Sequence, residues 1–209
     1  MADTNVTIKP KDIASALKST DFFKTLTPEG MLTVMVEDLL KNHSIRRTSF
    51  EVWENLGDEK NGISTEYRFD ELIKIIETDA PSVPLEKMAS TGLMEFCMPG
   101  CFPIKKRISV RDLKTIIKNF DKCGGEVPTR LAMFLFPFPP ETVKGFLTEC
   151  NFDEQVITLI VDALTEIEDF TLIKDGTHLK KYIYKNGYEK YYFITALAEQ
   201  ISTGLDFPE

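Results

Sequence analysis

The chain has 209 residues, of which 43% are hydrophobic, and carries a formal net charge of −8. This length and composition are typical of a globular protein with one large domain or two small ones, and they exclude a fully disordered chain. The negative charge disfavours general adhesion to nucleic acid or to anionic membranes, although a local basic surface is compatible with it.

The ends and the cysteines indicate an intracellular protein. Residues 1–10 are polar and lack the apolar core of a signal peptide. The longest apolar run, residues 131–136, stops at Pro137 and is too short to span a bilayer. We therefore expect a soluble cytoplasmic or nuclear protein without a membrane partner. Its cysteines should be free thiols in a reducing compartment, and they are Cys97, Cys101, Cys123 and Cys150.

Helix signals dominate the first part of the chain. Thr27 followed by Pro28 is typical of a helix start, because threonine caps the first turn and proline suits the first helical position. The apolar residues that follow recur at a spacing that predicts one broad buried face. They are Met31, Leu32, Met35, Val36, Leu39 and Leu40. Residues 45–56 favour a strand through Val52 and Trp53, with a helical capping box at 48–51 as the alternative.

The rest of the chain alternates strand and helix signals. Residues 63–69 predict a strand, and Asp70 then caps a short helix. Helices follow over 84–98, from Ser109 to just before Gly124, and from Pro128 through the apolar run. Further helices are predicted over 141–150 and 151–167, the second with a capping box at its start.

Residues 182–193 predict a β-hairpin, because aromatic and β-branched residues flank an Asn-Gly pair. Both central positions of a type I′ turn need a positive φ, which Asn186 and Gly187 tolerate. The predicted hairpin would lie between two helices, so that the end of the chain forms a helix–hairpin–helix unit.

A shift of about 125 positions places residues 31–39 over 156–164 without a gap, and Lys60-Asn61-Gly62 over Lys185-Asn186-Gly187. The constant distance from long helix to Asn-Gly pair favours an internal repeat. The alternative is that any two amphipathic helices look similar.

The sequence therefore predicts a predominantly α-helical α+β fold with two halves, each made of helices and one β-hairpin. This order resembles the winged-helix architecture, in which a third helix lies beside a hairpin "wing". The resemblance is architectural and implies a lead-in (1–9), a first half (10–78), a helical connector (79–126), a second half (127–202) and a frayed tail (203–209).

The winged-helix resemblance implies DNA binding through the third helix and the wing. The two long helices are acidic, however, and carboxylates repel phosphate. Basic residues lie elsewhere, on the segment 105–122 and on the predicted second hairpin. They are Lys105, Lys106, Arg107, Arg111, Lys114, Lys118, Lys180, Lys181, Lys185 and Lys190. One interpretation is that these residues only keep a helix face and a sheet edge soluble. The alternative is that they form a binding site for nucleic acid or for an acidic partner.

No catalytic motif is recognisable, so we assign no catalytic, cofactor-binding or metal residue and expect no enzymatic activity. His43 and His178 stand outside any nucleophile or metal motif. Cys97 and Cys101, with Cys123, could contribute to a zinc site, but their spacing is not that of a zinc knuckle and buried free cysteines are usually inert.

The first functional hypothesis is a non-catalytic adaptor or assembly subunit that binds a protein partner or another copy of itself. The candidate interface residues are Phe134, Phe136, Phe138, Tyr184 and Tyr188. The three phenylalanines have core packing as an alternative role. The second hypothesis is a nucleic-acid-binding regulator or genome-packaging protein that uses the basic residues.

Overall fold

The computed structural model describes residues 23–102 and 110–205, with side chains in the second range described from Leu113 onward. The structure is 77% helical. Neither described range contains a β-strand. The predictions for residues 1–22, for Lys105, Lys106 and Arg107, and for the last four residues lie outside the described residues, as does the side chain of Arg111.

The chain divides into two compact units, with the boundary between Ser64 and Thr65. This boundary lies inside the range 10–78 that the sequence assigns to the first half. The predicted connector and second half both belong to the second unit. The domain ranges drawn from the sequence stay a prediction.

The first unit contains helix α1 (Pro28–Asn42), helix α2 (Arg47–Asn55) and a 3-10 helix (Gly57–Gly62). As predicted, Thr27 caps α1, and its Oγ1 accepts a hydrogen bond from the Gly30 backbone N–H at 3.2 Å. Helix α1 ends at His43, which has the left-handed φ of 52° common at helix C-termini.

A buried carboxylate joins the first two helices. Asp38 on α1 accepts hydrogen bonds from Arg46 Nε at 2.8 Å and from Ser49 Oγ at 3.3 Å. A buried charge is tolerated only with such partners. The two hydrogen bonds to Asp38 therefore fix the turn between α1 and α2.

The second unit is an assembly of eight α-helices among its described residues. They are α3 (Thr65–Ile76), α4 (Ser82–Ser90), α5 (Leu93–Cys97), α6 (Val110–Asn119), α7 (Val127–Leu135), α8 (Pro140–Glu149), α9 (Glu154–Thr171) and α10 (Gly176–Gly204), with a short 3-10 helix (Phe120–Lys122) after α6.

Helix α7 is the centre of the second unit. Every residue from Thr129 to Leu135 is buried, and the helix contacts α3, α6, α9 and α10. A helix that is buried on all sides has to be surrounded by other elements of the fold. The Phe134 ring meets Phe120 edge to face, with centroids 6.1 Å apart.

Polar groups fix the helices around α7. Arg130 is buried on α7 and donates from its guanidinium to the Thr78 carbonyl at 2.8 Å. Asn119 Nδ2 donates to the Gly204 carbonyl at 3.1 Å. Gly204 is buried and helical, although the sequence placed it in a frayed tail.

The predicted α+β class and the two wings are wrong, because every predicted strand that lies in the described residues is helical or irregular. Residues 182–193 belong to α10, and Lys60-Asn61-Gly62 lies in the 3-10 helix. The predicted strand over 63–69 becomes the start of α3, and most of 45–56 becomes α2. Aromatic and β-branched residues favour strands only when a sheet packs them, and here helix packing prevails.

Candidate interaction surface

Helix α10 is broken at Gly187, where φ is 84° and ψ is 166°. This backbone region is essentially restricted to glycine. We call residues 176–186 the first arm and residues 188–204 the second arm. A Cβ at Gly187 would have no neighbour within 4 Å, so backbone conformation, rather than space, requires the glycine.

The two arms fold back on each other. Leu179 and Ala198 line the same surface depression. A straight helix would hold them about 28 Å apart along its axis. The rings of Tyr182 and Tyr191, one from each arm, both pack on Phe170 of α9, at centroid distances of 5.2 Å and 6.2 Å. The chain therefore reverses at the predicted Asn-Gly turn, but the turn joins helices instead of strands.

A polar network ties both arms to α9. Tyr182 Oη donates to Glu166 Oε2 at 2.8 Å, and Lys190 Nζ donates to Glu166 Oε1 at 2.8 Å and to Asp162 Oδ2 at 2.9 Å. Burial alone would lower the pKa of Lys190, but the hydrogen bonds to Glu166 and Asp162 raise it above its usual value. Burial, followed by the hydrogen bond to Glu166, raises the pKa of Tyr182.

Side-chain caps define both ends of the first arm. Asp175 Oδ1 accepts from the backbone N–H groups of Thr177 and His178 at 2.9 Å and 3.0 Å. The hydrogen bond from the His178 backbone, followed by that from its ring, holds the pKa of Asp175 below its usual range. At the other end, Asn186 Nδ2 donates to the Tyr182 carbonyl at 3.1 Å. The first arm is thus a complete short helix.

The outer side of α10 carries the most exposed aromatic side chains of the described residues. Tyr184 is 95% exposed, Tyr188 67% and Tyr192 65%. The Tyr188 and Tyr192 rings stack, with centroids 6.3 Å apart. On the first arm Lys180, Lys181 and Tyr184 line a shallow depression together with Thr177.

We call this outer side the tyrosine–lysine surface, and it consists of Lys180, Lys181, Tyr184, Lys185, Tyr188 and Tyr192. Its three lysines are exposed and form no ion pair with a described residue. The surface therefore combines exposed aromatic rings with positive charges that form no ion pair within the described residues. Sequence reasoning missed Tyr192, although its four-residue spacing from Tyr188 would have indicated it once the segment was recognised as helical.

Those predicted basic side chains that the structure describes do not lie together at one place. Lys114 and Lys118 are exposed on α6, opposite its buried apolar face. The end of α6 meets the end of the second arm through Asn119 and Gly204, whereas the exposed lysines of α10 lie on the first arm. Lys190 is 14% exposed and is held by Asp162 and Glu166.

The predicted interface residues fall into two groups. Phe134, Phe136 and Phe138 are buried, at 0%, 8% and 0% exposure, and belong to the core. Tyr184 and Tyr188 are exposed, as an interface requires. Only the tyrosines therefore contribute to the candidate surface.

The four cysteines are buried free thiols. Burial raises the pKa of Cys97, Cys101 and Cys150 to about 12 and that of Cys123 to about 11. Such thiols are protonated at neutral pH and are poor nucleophiles and metal ligands. Within the described residues, no three His, Cys, Asp or Glu side chains come together as metal ligands would.

None of the helices within residues 23–102 and 110–205 is long and apolar enough to cross a membrane. Comparisons of the chain with protein-family models, with curated proteins and with solved structures found no significant match.

Proposed function

We propose that this chain is a non-catalytic adaptor or assembly subunit that binds a protein partner through the tyrosine–lysine surface. The observation that supports the proposal most directly is the exposure of Tyr184, Tyr188 and Tyr192 on a capped, ion-paired helical framework. Exposed tyrosine rings are enriched at interaction sites.

Tyrosine suits such a surface for physical reasons. Its ring buries a large apolar area on binding, its hydroxyl keeps a hydrogen bond, and few rotatable bonds have to be fixed. Tyrosine is accordingly enriched in the cores of protein–protein interfaces and among the residues that dominate binding energy.

The charge around the tyrosines favours an acidic partner. Lys180, Lys181 and Lys185 surround Tyr184 and are exposed. Complementary charge at an interface accelerates association and selects the partner more than it adds affinity. The surface is therefore suited to an acidic segment that also presents apolar or aromatic side chains.

The proposal is tested by replacing the three rings together (Tyr184→Ala, Tyr188→Ala, Tyr192→Ala). Because interface tyrosines often contribute about 2 kcal/mol or more each, we expect the triple variant to bind its partner at least tenfold more weakly. Affinity capture from the native cells, followed by titration calorimetry with the captured partner, measures this. Val83→Ala is the matched control, since Val83 is exposed on α4. Equal capture by the triple variant would refute the proposal.

A second candidate function is nucleic-acid binding, because Lys180 and Lys181 share one depression with the Tyr184 ring. Lysines beside exposed rings match the way in which single strands are held, by phosphate contacts and base stacking. A salt series between about 50 and 200 mM would show strong weakening if phosphate contacts dominate.

Two sets of charge reversals locate such binding by fluorescence anisotropy with labelled single- and double-stranded oligonucleotides. Lys180→Glu, Lys181→Glu and Lys185→Glu should abolish the salt-dependent binding if the first arm carries it. Lys114→Glu with Lys118→Glu serves as the comparison on α6. Absence of any salt-dependent binding by the unaltered protein would remove this candidate.

A further inference from the structure

An open cleft lies between the first half of α9 and the start of the second arm. Lys190, near the start of the second arm, pairs with Asp162 in the middle of α9. Beside the half of α9 that precedes Asp162, the two helices leave space between them. We call this space the acidic cleft, and it is lined by residues 153–156, 158, 159 and 162 of α9 together with Glu189 and Lys190.

The acidic cleft has carboxylates that no cation of the described chain neutralises. Of its four carboxylates, Asp162 pairs with Lys190, and Asp153 caps α9 by accepting from two backbone N–H groups of the first turn. Glu154 and Glu189 are exposed and form no ion pair with a described residue. These two carboxylates are therefore accessible to a partner.

The acidic cleft also offers an apolar floor and sufficient space. Val156 and Leu159, both half-buried, line it together with the carboxylates. Its volume is about 610 Å³, within the roughly 300–1,000 Å³ of pockets that enclose small organic groups. The cleft thus accommodates an aromatic ring, and it combines acidic with apolar groups. This is the composition that the tyrosine–lysine surface requires of its partner.

The first arm is exposed on its outer side because it is attached to the second unit only at its periphery. The buried residues of α10 all lie in the second arm, and they are Ile194, Leu197, Ile201 and Gly204. The inner side of the first arm is only half-buried, through Leu179, Tyr182 and Ile183. The outer side, with Lys180 and Lys181, is open to another molecule.

The first arm does not reach the acidic cleft of its own copy. Tyr182 is held at Glu166 by a hydrogen bond of 2.8 Å. Leu179 lines a depression together with Thr171, the last residue of α9. The arm therefore lies along the second half of α9, whereas the cleft lies along the first half. An arm that fills the cleft has to come from another molecule.

We propose that the first arm of one copy of this chain docks into the acidic cleft of a second copy. The Tyr184 ring covers the apolar floor of the cleft, and Lys180 and Lys181 pair with its two exposed carboxylates. Both surfaces are already exposed, so docking needs no change of the backbone. This inference rests on the proposed function and names a second copy of the chain as the partner.

Charge reversals on the two sides test the proposal, with sedimentation velocity over a concentration series as the measurement. Lys180→Glu with Lys181→Glu, and separately Glu154→Lys with Glu189→Lys, should each weaken self-association by at least about tenfold, because like charges then face each other. The two double variants change the net charge in opposite directions, so a loss in both excludes an effect of net charge. Mixed in equal amounts, they should associate again, since opposite charges then meet.

Matched controls carry the same charge changes elsewhere on the second unit. Lys114→Glu with Lys118→Glu corresponds to the lysine reversal, and Glu86→Lys with Glu95→Lys to the glutamate reversal. All four side chains are exposed, and both controls should leave self-association nearly unchanged. Self-association that survives both reversals, or that mixing does not restore although circular dichroism shows intact helices, would overturn the proposal.

Salt provides a test that needs no substitution. The net charge of −8 makes two copies repel each other, and added salt screens this repulsion. Self-association through apolar contacts alone should therefore strengthen as salt rises from about 50 to 500 mM. Self-association through the arm and the cleft should weaken over this range, because the attraction between lysines and carboxylates is screened. Strengthening with salt would contradict the proposed contact.

The outcomes for the two proposals are distinguishable. A purified protein that stays monomeric throughout the concentration series, together with loss of the captured partner in the tyrosine triple variant, would refute the docking of a second copy and support the docking function. Self-association that the mixed variants restore, together with undiminished capture by the triple variant, would support the docking of a second copy and refute a role of the tyrosine–lysine surface for any other partner.

Discussion

Phe134→Ala should lower the free energy of unfolding by about 3–5 kcal/mol, the loss typical of a buried phenylalanine. Phe134 has no exposed surface, lies on the central helix α7, and meets Phe120 edge to face. Removal of the ring loses its burial and leaves a cavity that the surrounding helices cannot fully close. Urea unfolding followed by circular dichroism measures the change.

Tyr184→Ala is the control for this prediction, because Tyr184 is nearly fully exposed. Substitutions at such positions usually change stability by less than about 0.5 kcal/mol. The contrast separates the two groups of aromatic residues that the sequence proposed together as interface. A loss below about 1 kcal/mol for Phe134→Ala would contradict its place in the core.

Lys190→Met should destabilise the protein by about 1–3 kcal/mol at neutral pH, less than a fully buried ion pair would cost, because the partners are partly exposed. The Lys190 side chain is 14% exposed and its ammonium lies between Asp162 and Glu166. Without it, two carboxylates face each other with no cation between them. Lys181→Met, at an exposed lysine of the first arm, is the control and should have little effect.

The pH dependence of this loss has a definite direction. The pKa of Lys190 is raised above its usual 10.5, so the ion pair contributes its full stability below that pH and loses it as pH rises through the raised value. The difference between Lys190→Met and the unaltered protein should be constant from neutral pH up to about pH 10 and shrink at higher pH. The raised pKa values of the thiols destabilise both proteins alike and cancel in this comparison. A difference that persists undiminished well above this range would contradict the assignment.

The start of α1 was predictable because its signal is local, whereas the predicted cap at Asp70 is wrong, because Asp70 lies inside α3. Thr27 caps α1 as its sequence indicates. Helix α9, in contrast, begins later than the predicted capping box, since its N-cap is Asp153 and not Asn151, and Asp153 accepts from Gln155 N–H at 2.8 Å and Val156 N–H at 3.3 Å. The cap at Thr27 involves only one turn of helix, whose residues are adjacent in the sequence.

The hairpin prediction failed because residues 182–193 are compatible with two strands and also with two helices. Asn186-Gly187 marks a chain reversal, and the reversal is present. A type I′ turn needs a positive φ at both residues, whereas only Gly187 has one here. Tyrosine and isoleucine fit strands in general. The spacing of Ile194, Leu197 and Ile201, however, is helical, and their burial against the other helices decides the structure.

The candidate surface was only partly predictable. Tyr184 and Tyr188 are exposed, and their role as interface residues stays a prediction. The pairing of Lys190 with Glu166 joins residues 24 positions apart, and sequence spacing reveals no such contact. For the same reason, the sequence could not show that Lys190 supports the surface from within while Lys180 and Lys181 face outward.

The peripheral attachment of the first arm has a consequence for how this protein tolerates sequence change. Leu179, Tyr182 and Ile183 hold the arm in place, and its remaining side chains contribute little to the core. Substitutions at Lys180, Lys181, Tyr184 or Lys185 should therefore alter recognition at almost no cost in folding. If the proposed docking function holds, sequence changes on this arm can alter the choice of partner while α7 and its neighbours keep the fold constant.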